Sequence, residues 1–314
     1  MPDPQRHDTA VAFCCDSNYF HLALFTIWQL VHHNPQRRFD FVISTQDDLV
    51  VPDWARSLDV VLHRAGTLPE ATEVARYIGS VAPLYRIMLA RELQSRYRRI
   101  LYLDCDMFVE GGDINRLLEV DLGPHPLGAV LDAPFMYERN HLAREFLKLG
   151  LPAAPYANTG MQVIDTRAYC EQDLEKRSFD VCKTHPQAIF FTEQSLTNLA
   201  LRGKFAQLAP CWNWQNNARL PLINQNYPVF LRHFIGRQKP DRFAGRMLDA
   251  RFNMAYREFL SHFAPDVLSK VPVAGQSDPL TLRELGKLAL EHLLARRVAA
   301  ELLARYPDPY KALL

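Results

Sequence analysis

An apolar run, Ile100 to Leu103, leads directly into Asp104-Cys105-Asp106. If that run is a strand continuing through the acidic pair, residues i and i+2 point to one side, roughly 6.5–7 Å apart along the chain. Carboxylates that close repel each other unless a cation or a proton sits between them. No basic residue adjoins the pair in sequence. Oxygen donors favour a hard divalent ion such as Mg²⁺ or Mn²⁺. The competing reading is plain: two solvated carboxylates capping the next turn. A calcium loop is excluded, because Phe108 and Val109 stand where such a loop needs Asp or Asn and then Gly.

A second cluster lies far downstream. Arg232-His233-Phe234-Ile235-Gly236-Arg237-Gln238-Lys239-Pro240 follows the apolar run that begins at Val229. It places an imidazole, a glycine and an amine within seven residues. His233 suits Mn²⁺ as a third protein ligand. Gly236 permits close backbone approach, and Lys239 can meet a phosphate as a point charge. A surface loop with an incidental histidine is the alternative. Two enzymatic readings of the acidic pair then compete. A haloacid-dehalogenase-type phosphatase uses such a strand end, but its pattern wants Thr or Val where Phe108 stands, and its motif usually opens the fold. A sugar-nucleotide transferase uses the pair to hold a metal that bridges a diphosphate.

The surrounding pattern shows how these residues are to be positioned. Val11 to Cys15, Phe39 to Ser44, Asp59 to Leu62, Ile100 to Leu103, Leu127 to Leu131, Met161 to Ile164 and Val229 to Ile235 read as strands. Tyr19 to His33, Leu84 to Tyr97, Arg167 to Thr184 and Thr192 to Leu201 read as helices, the first stopped by Asn34-Pro35. This rhythm predicts an α/β sheet covered on both faces, with ligands beyond the carboxyl ends of its strands. Asp16-Ser17-Asn18, Asp104 to Asp106, Asp132 and His233 to Lys239 are the polar clusters at those ends. Pro279 to Tyr306 reads as one long helix, with Leu282, Leu285, Leu288, Ala289, Leu293, Val298, Leu302 and Leu303 on an apolar face. That face would pack on the domain, meet a second copy, or lie on the inner membrane face with Arg296, Arg297 and Arg305 toward lipid headgroups.

Composition sets the outer bounds. The 314 residues carry 36 Lys+Arg against 35 Asp+Glu, a balance that argues against coating a nucleic acid. The cations are 28 Arg and only 8 Lys; Arg favours bidentate phosphate contacts, but codon bias explains the skew as well. The polar first ten residues lack the apolar stretch of a signal peptide, and no 18-residue apolar run predicts a membrane span. Cys14, Cys15, Cys105, Cys170, Cys182 and Cys211 form no CxxC pair and read as reduced thiols in a cytoplasmic protein.

Taken in order, several segments resemble glycosyltransferase family 8, the retaining GT-A enzymes that include lipopolysaccharide galactosyl- and glucosyltransferases. Cys14-Cys15-Asp16-Ser17-Asn18-Tyr19 is similar to A-A-D-x-N-Y, Leu84-Tyr85-Arg86-Ile87 to the Y-x-R-L helix start, and Tyr102-Leu103-Asp104-Cys105-Asp106 to Y-L-D-x-D. Asp132 follows a strand as the family's sugar-contacting Asp does. Asn158-Thr159-Gly160-Met161 is similar to N-[AS]-G-[VM], Glu193-Gln194 to D-Q, and His233-x-x-Gly236-x-x-Lys239-Pro240 to H-x-x-G-x-x-K-P-W. Each motif is weak alone; the ordered set, over about residues 11 to 240, is specific.

The resemblance implies a GT-A, Rossmann-like α/β fold with a mixed central sheet: a catalytic domain over 1–250 and a helical extension over 251–314. It implies transfer of a hexose from UDP-glucose or UDP-galactose to a glycan or lipid-linked glycan acceptor, with no nucleic-acid partner. Asp104, Asp106 and His233 would hold Mn²⁺ (or Mg²⁺). Asp16, Asn18 and Tyr19 would hold uracil and ribose, Asp104 would also reach the ribose, and Gly236 and Lys239 would bind the diphosphate. Arg86, Asp132, Asn158 and Glu193 would contact the donor sugar. Gln194, beneath the anomeric carbon, and Asp132 carry the catalytic roles. A UDP-sugar-binding module without transfer is the non-enzymatic alternative. The chain departs from the pattern at Glu193 for Asp, Thr159 for Ala or Ser, Asp241 for Trp, and Cys14-Cys15 for smaller residues. Acceptor recognition is assigned to the segments Pro134 to Pro155 and Cys211 to Pro228, where Trp212, Trp214 and Tyr227 would either stack on a sugar or pack in the core.

Overall fold

The computed structural model describes residues 7–69, 81–138, 141–216, 227–236, 239–241, 250–273 and 281–314. Ten strands are present among them: β1 (Thr9–Cys14), β2 (Asp40–Thr45), β3 (Val60–Arg64), β4 (Arg99–Leu103), β5 (Met107–Val109), β6 (Leu127–Leu131), β7 (Ala157–Asp165), β8 (Ala206–Gln207), β9 (Trp214–Gln215) and β10 (Leu231–His233). Seven form one sheet in the order β3-β2-β1-β4-β7-β6-β8, and three form a small sheet, β5-β10-β9.

The main sheet is buried on both faces, which is why its strands read as near-continuous apolar runs. Alternation divides their side chains between two cores. Val11, Phe13, Phe41, Leu101 and Leu103 enter one, with Phe25 and Leu30 of the helix Phe20–His33. Ala10, Ala12, Val42, Ile100 and Tyr102 enter the other, with Leu84, Met88 and Leu196.

Strand direction assembles the site. β1 runs parallel to both β2 and β4, so the ends of β1 and β4 leave the sheet on the same edge. β7 is antiparallel to β4 and to β6, so β6 also ends there and β7 begins there. Asp16, Asp104, Asp132 and Asn158 therefore converge on one edge. The Leu103–Met161 register sets Gly160 across from Asp104, whose N–H donates to the Gly160 carbonyl at 2.8 Å. The small sheet delivers the distant imidazole: β10 pairs antiparallel with β5, setting His233 opposite Met107, next to Asp106.

Several expectations need correction. The acidic pair does not lie in a strand. Asp104 to Asp106 form the turn between β4 and β5, so a turn and not the pleat brings the carboxylates together. The predicted helix over Leu84 to Tyr97 is two short pieces, Ala82–Tyr85 and Leu89–Leu93. Between them Arg86 turns inward, its Nε donating to the Pro83 carbonyl at 3.1 Å. The helix over Arg167 to Thr184 breaks into Thr166–Glu171 and Leu174–Thr184, because Asp173 takes a left-handed conformation (φ 50°). β5, β8 and β9, each three residues or fewer, carry no periodic signal.

The C-terminal region packs against the same core. Tyr256, Phe259 and Leu260 of the helix Ala250–Phe263 are buried, and Tyr256 and Phe259 meet Phe25 at ring-centroid distances of 5.2 and 5.1 Å. The long helix spans Leu282–Arg305 and opens with a capping box between Thr281 and Glu284. The predicted start at Pro279 falls outside the described residues. Its apolar face is mostly not packed: Ala295, Ala299 and Leu302 are buried, whereas Leu282, Leu285, Leu293 and Leu303 are exposed. Beyond it, Leu313 bridges Gln207 of β8 and closes that sheet edge. No helix among the described residues is long and apolar enough to cross a membrane.

Candidate active site

At the sheet edge, one ligand atom each from Asp104, Asp106 and His233 lies within 4.8 Å of the others. His233 Nε2 is 3.5 Å from Asp104 Oδ2 and 3.4 Å from Asp106 Oδ1. Gly160 makes room for this cluster. A Cβ there would stand 2.8 Å from both Asp104 Oδ2 and His233 Nδ1, too close for any side chain. Lys239 Nζ ion-pairs with Asp106 Oδ2. Burial alone would raise the Asp106 carboxyl, but the Lys239 ammonium and the His233 imidazole outweigh it and hold the group well below the usual carboxylate range. The two carboxylates thus have cationic neighbours in space that sequence adjacency could not show.

Asp104 is held from its other side. Tyr102 donates to Asp104 Oδ1 at 2.6 Å, and Arg86 Nη2 lies 2.6 Å from the same oxygen. Arg86, buried, also meets Glu193 Oε1 at 3.2 Å and donates to the Thr159 carbonyl at 3.0 Å. Burial works against its charge, yet Asp104 and Glu193 raise its pKa above the ordinary guanidinium value. Both Glu193 oxygens are engaged: Thr159 Oγ1 donates to Oε1 at 3.2 Å and Thr192 Oγ1 to Oε2 at 2.6 Å. Two departures from the family pattern, Glu193 and Thr159, therefore touch each other. Gln194 Oε1 accepts from the Thr159 N–H at 3.3 Å.

A line of hydrogen bonds joins Asp132 to His233. Asn158 Nδ2 donates to Asp132 Oδ1 at 2.9 Å, Asn213 Nδ2 to Asn158 Oδ1 at 2.8 Å, and Asn213 Oδ1 lies 3.0 Å from His233 Nδ1. Burial raises the Asp132 pKa above its ordinary value, against hydrogen bonds from Asn158 and Gln194 that lower it. Beside the cluster opens a cavity of about 680 Å³ lined by Cys14, Cys15, Asp16, Asn18, Tyr19, Arg86, Asp104, Asp106 and Lys239. Asp16 caps its own turn, its Oδ1 accepting from the Asn18 N–H at 3.0 Å. Gly236 sits after β10 at φ 75° with open space around it, so its glycine serves the turn.

Apart from Gly236, the thirteen candidate residues either join this network or line the adjoining cavity. Arg237 and Gln238 of the downstream motif fall outside the described residues, as does 217–226 of one expected acceptor segment. Trp212, Trp214 and Tyr227 are buried, so they pack in the core and are closed to a sugar. Sequence reading missed Asn213 and also Gln215, which accepts from the Ala133 N–H at 2.8 Å beside Asp132; polar residues interleaved with Trp212 and Trp214 were the available signal. It also missed Tyr256, Lys270 and Val271, which line the cavity from the C-terminal region and which no local pattern marks.

Residues 10–242 match the family model described as glycosyl transferase family 8, about three-quarters of the chain. The chain belongs to that family. It is a glycosyltransferase, which decides between the enzymatic readings of the acidic pair against a phosphatase. Over 225 residues it is 25% identical to General stress protein A of Bacillus subtilis (strain 168), covering 68% of this chain and 76% of that protein. Its fold is similar to that of galactosyltransferase LgtC, solved with donor and acceptor sugar analogues: TM-score 0.58, 18% identity, 89% of this chain and 100% of that one. The WbbM bifunctional glycosyltransferase gives TM-score 0.63 at 17% identity, over 86% of this chain and 53% of that one. These likenesses establish the GT-A fold with its mixed seven-stranded sheet.

Proposed function

We propose that this family 8 member transfers a hexose from UDP-glucose or UDP-galactose to a hydroxyl of a glycan or lipid-linked glycan, with retention and with Mn²⁺ or Mg²⁺. The observation that carries the reading is the Asp104–Asp106–His233 cluster beside the 680 Å³ cavity, which Asp104 and Asp106 line. The donor set fits the ion: two carboxylates and an imidazole within 4.8 Å, space kept by Gly160, and a side-chain ammonium already drawn to Asp106. LgtC was crystallised with donor and acceptor sugar analogues, which supports a sugar donor and a sugar acceptor here.

When bound, the divalent ion supplies positive charge against the leaving diphosphate. The chain's own groups do the rest. Asp16, Asn18 and Tyr19 line the cavity where uracil and ribose would sit. Lys239 would exchange Asp106 for a phosphate oxygen, and Gly236 would shape the turn that carries it there. Asp132, Asn158, Glu193 and Arg86 orient the hexose. Gln194, in the first turn of the helix Thr192–Leu201, reaches the Thr159 N–H at the start of β7, and an amide is a poor nucleophile. Both oxygens of Glu193 are occupied by Arg86, Thr159 and Thr192. We therefore favour same-face attack through an oxocarbenium-like transition state, with a departing phosphate oxygen taking the acceptor proton.

A UDP-sugar panel read by UDP release, with Mn²⁺ or with EDTA, tests the proposal. Mn²⁺-dependent release from one hexose donor is expected, lost by about 10²- to 10⁴-fold in Asp106→Asn. UDP binding without release would identify a binding module instead. We further propose a cytoplasmic protein whose long C-terminal helix rests on the inner membrane face through Leu282, Leu290 and Leu293, flanked by Arg296 and Arg297. Arg305 is drawn away from that face, donating to Gln207 Oε1 at 2.7 Å. Pull-down on anionic liposomes, comparing the full chain with 1–275, checks this; equal binding removes it, and a dimer in solution supports the alternative of a second copy.

A further inference from the structure

We infer that Asn213 is a positioning residue that selects the tautomer of His233 able to accept a metal, an inference that rests on the metal reading above. Asn213 is fully buried. Its amide orientation follows from a backbone group that can only donate. The Gly160 N–H donates to Asn158 Oδ1 at 3.1 Å, so the Asn158 atom facing Asn213 is an oxygen. Asn213 must therefore present Nδ2 to it, at 2.8 Å, and turn Oδ1 toward His233 Nδ1, at 3.0 Å. The far end agrees, with Asn158 Nδ2 donating to Asp132 Oδ1. An amide oxygen accepts and cannot donate, so the hydrogen of the neutral imidazole belongs on Nδ1. Nε2 is then left with its lone pair toward Asp104 and Asp106.

The carboxylates pull the other way. Without Asn213, a neutral ring facing two carboxylate oxygens is better satisfied with its hydrogen on Nε2, donating to them, and that tautomer has no lone pair for an ion. The line from Gly160 through Asn158 to Asn213 opposes this with fixed dipoles, as outer-shell partners of ligating histidines do. It also ties the imidazole to Asp132 on the sugar side of the site.

The test measures Mn²⁺ binding by electron paramagnetic resonance, separately from turnover. Asn213→Leu, similar in volume but without polar atoms, should weaken Mn²⁺ about 10- to 100-fold, whereas Asn213→Asp, which keeps an oxygen toward Nδ1, should stay within about threefold of wild type. Both variants lose the hydrogen bond to Asn158. Equal weakening would therefore mean that Asn213 acts through Asn158 alone, and it would overturn the inference, as would unchanged affinity in Asn213→Leu. Long-range ¹H–¹⁵N correlations of the neutral His233 ring in the metal-free wild-type protein need no variant to fold. A hydrogen on Nδ1 supports the inference; a hydrogen on Nε2 refutes it. A wild-type chain that binds no Mn²⁺ would instead remove the metal reading.

Discussion

Gly160→Ala adds one methyl group to the most crowded point of the site. The new Cβ would stand 2.8 Å from Asp104 Oδ2 and from His233 Nδ1 and nearer still to His233 Cε1, and ordinary contact begins at 3.4 Å, so the neighbours must part by well over 0.6 Å. Neither can yield freely. Asp104 is pinned by Tyr102 and Arg86, His233 by Asn213, and residue 160 by the pairing of β7 with β4. Metal ligands tolerate distance errors of only about 0.2 Å. Overpacking of this kind costs about 1–3 kcal/mol of stability, and a displaced ligand about 10- to 100-fold in metal affinity. Mn²⁺ titration followed by paramagnetic resonance, with UDP release at saturating Mn²⁺, reads the second effect; the melting midpoint in EDTA reads the first. Wild-type Mn²⁺ affinity in a folded Gly160→Ala chain would refute the steric argument and the cluster with it.

Three further outcomes are expected. Glu193→Asp withdraws the carboxylate by one methylene from Arg86 and Thr192, so the kcat/KM ratio between UDP-glucose and UDP-galactose should shift; an unchanged ratio would show that Glu193 holds Arg86 without reading the sugar. Burial raises the Asp132 carboxyl, so between its unfolded pKa, near 4, and its higher folded value the native state binds more protons and stability falls as pH rises. Asp132→Asn should flatten that part of the melting-midpoint profile, and a profile identical to wild type would contradict it. Of the six thiols, Cys170 alone is partly exposed; burial pushes Cys211 up to about 12 and raises Cys14, and a hydrogen bond with Cys15 together with burial raises Cys105. A thiol reagent at pH 8 should therefore modify Cys170 first, with Cys14, Cys105 and Cys211 reacting on unfolding; rapid labelling of Cys105 in the folded chain would argue against the packing around the acidic pair.

What the chain reveals on its own is whatever depends on neighbours in sequence. The long strands of the main sheet were legible because burial on both faces demands apolar runs, and Asn34-Pro35 ends the first helix as written. Asp104, Asp106 and His233 could be named because residue type states the chemistry. The helix breaks at Arg86 and Asp173 were not legible. One is imposed by an arginine turning inward to a carboxylate, the other by a left-handed Asp173, a conformation an Asp tolerates but does not announce in sequence. Nor was the apolar stripe of Leu282–Arg305 a guide to burial, since the domain covers only one flank of it.

The sequence alone thus determined the donor types and the strand rhythm, because both are local properties. Tertiary structure decided how the donors meet. Three-residue β10 is held between β5 and β9, and its pairing with β5 brings an imidazole 127 positions downstream to Asp106. The same folding sets Lys239 and Arg86 against the acidic pair and aims Asn213 at His233. Such contacts depend on direction and distance across the sheet edge, and no spacing along the chain encodes them.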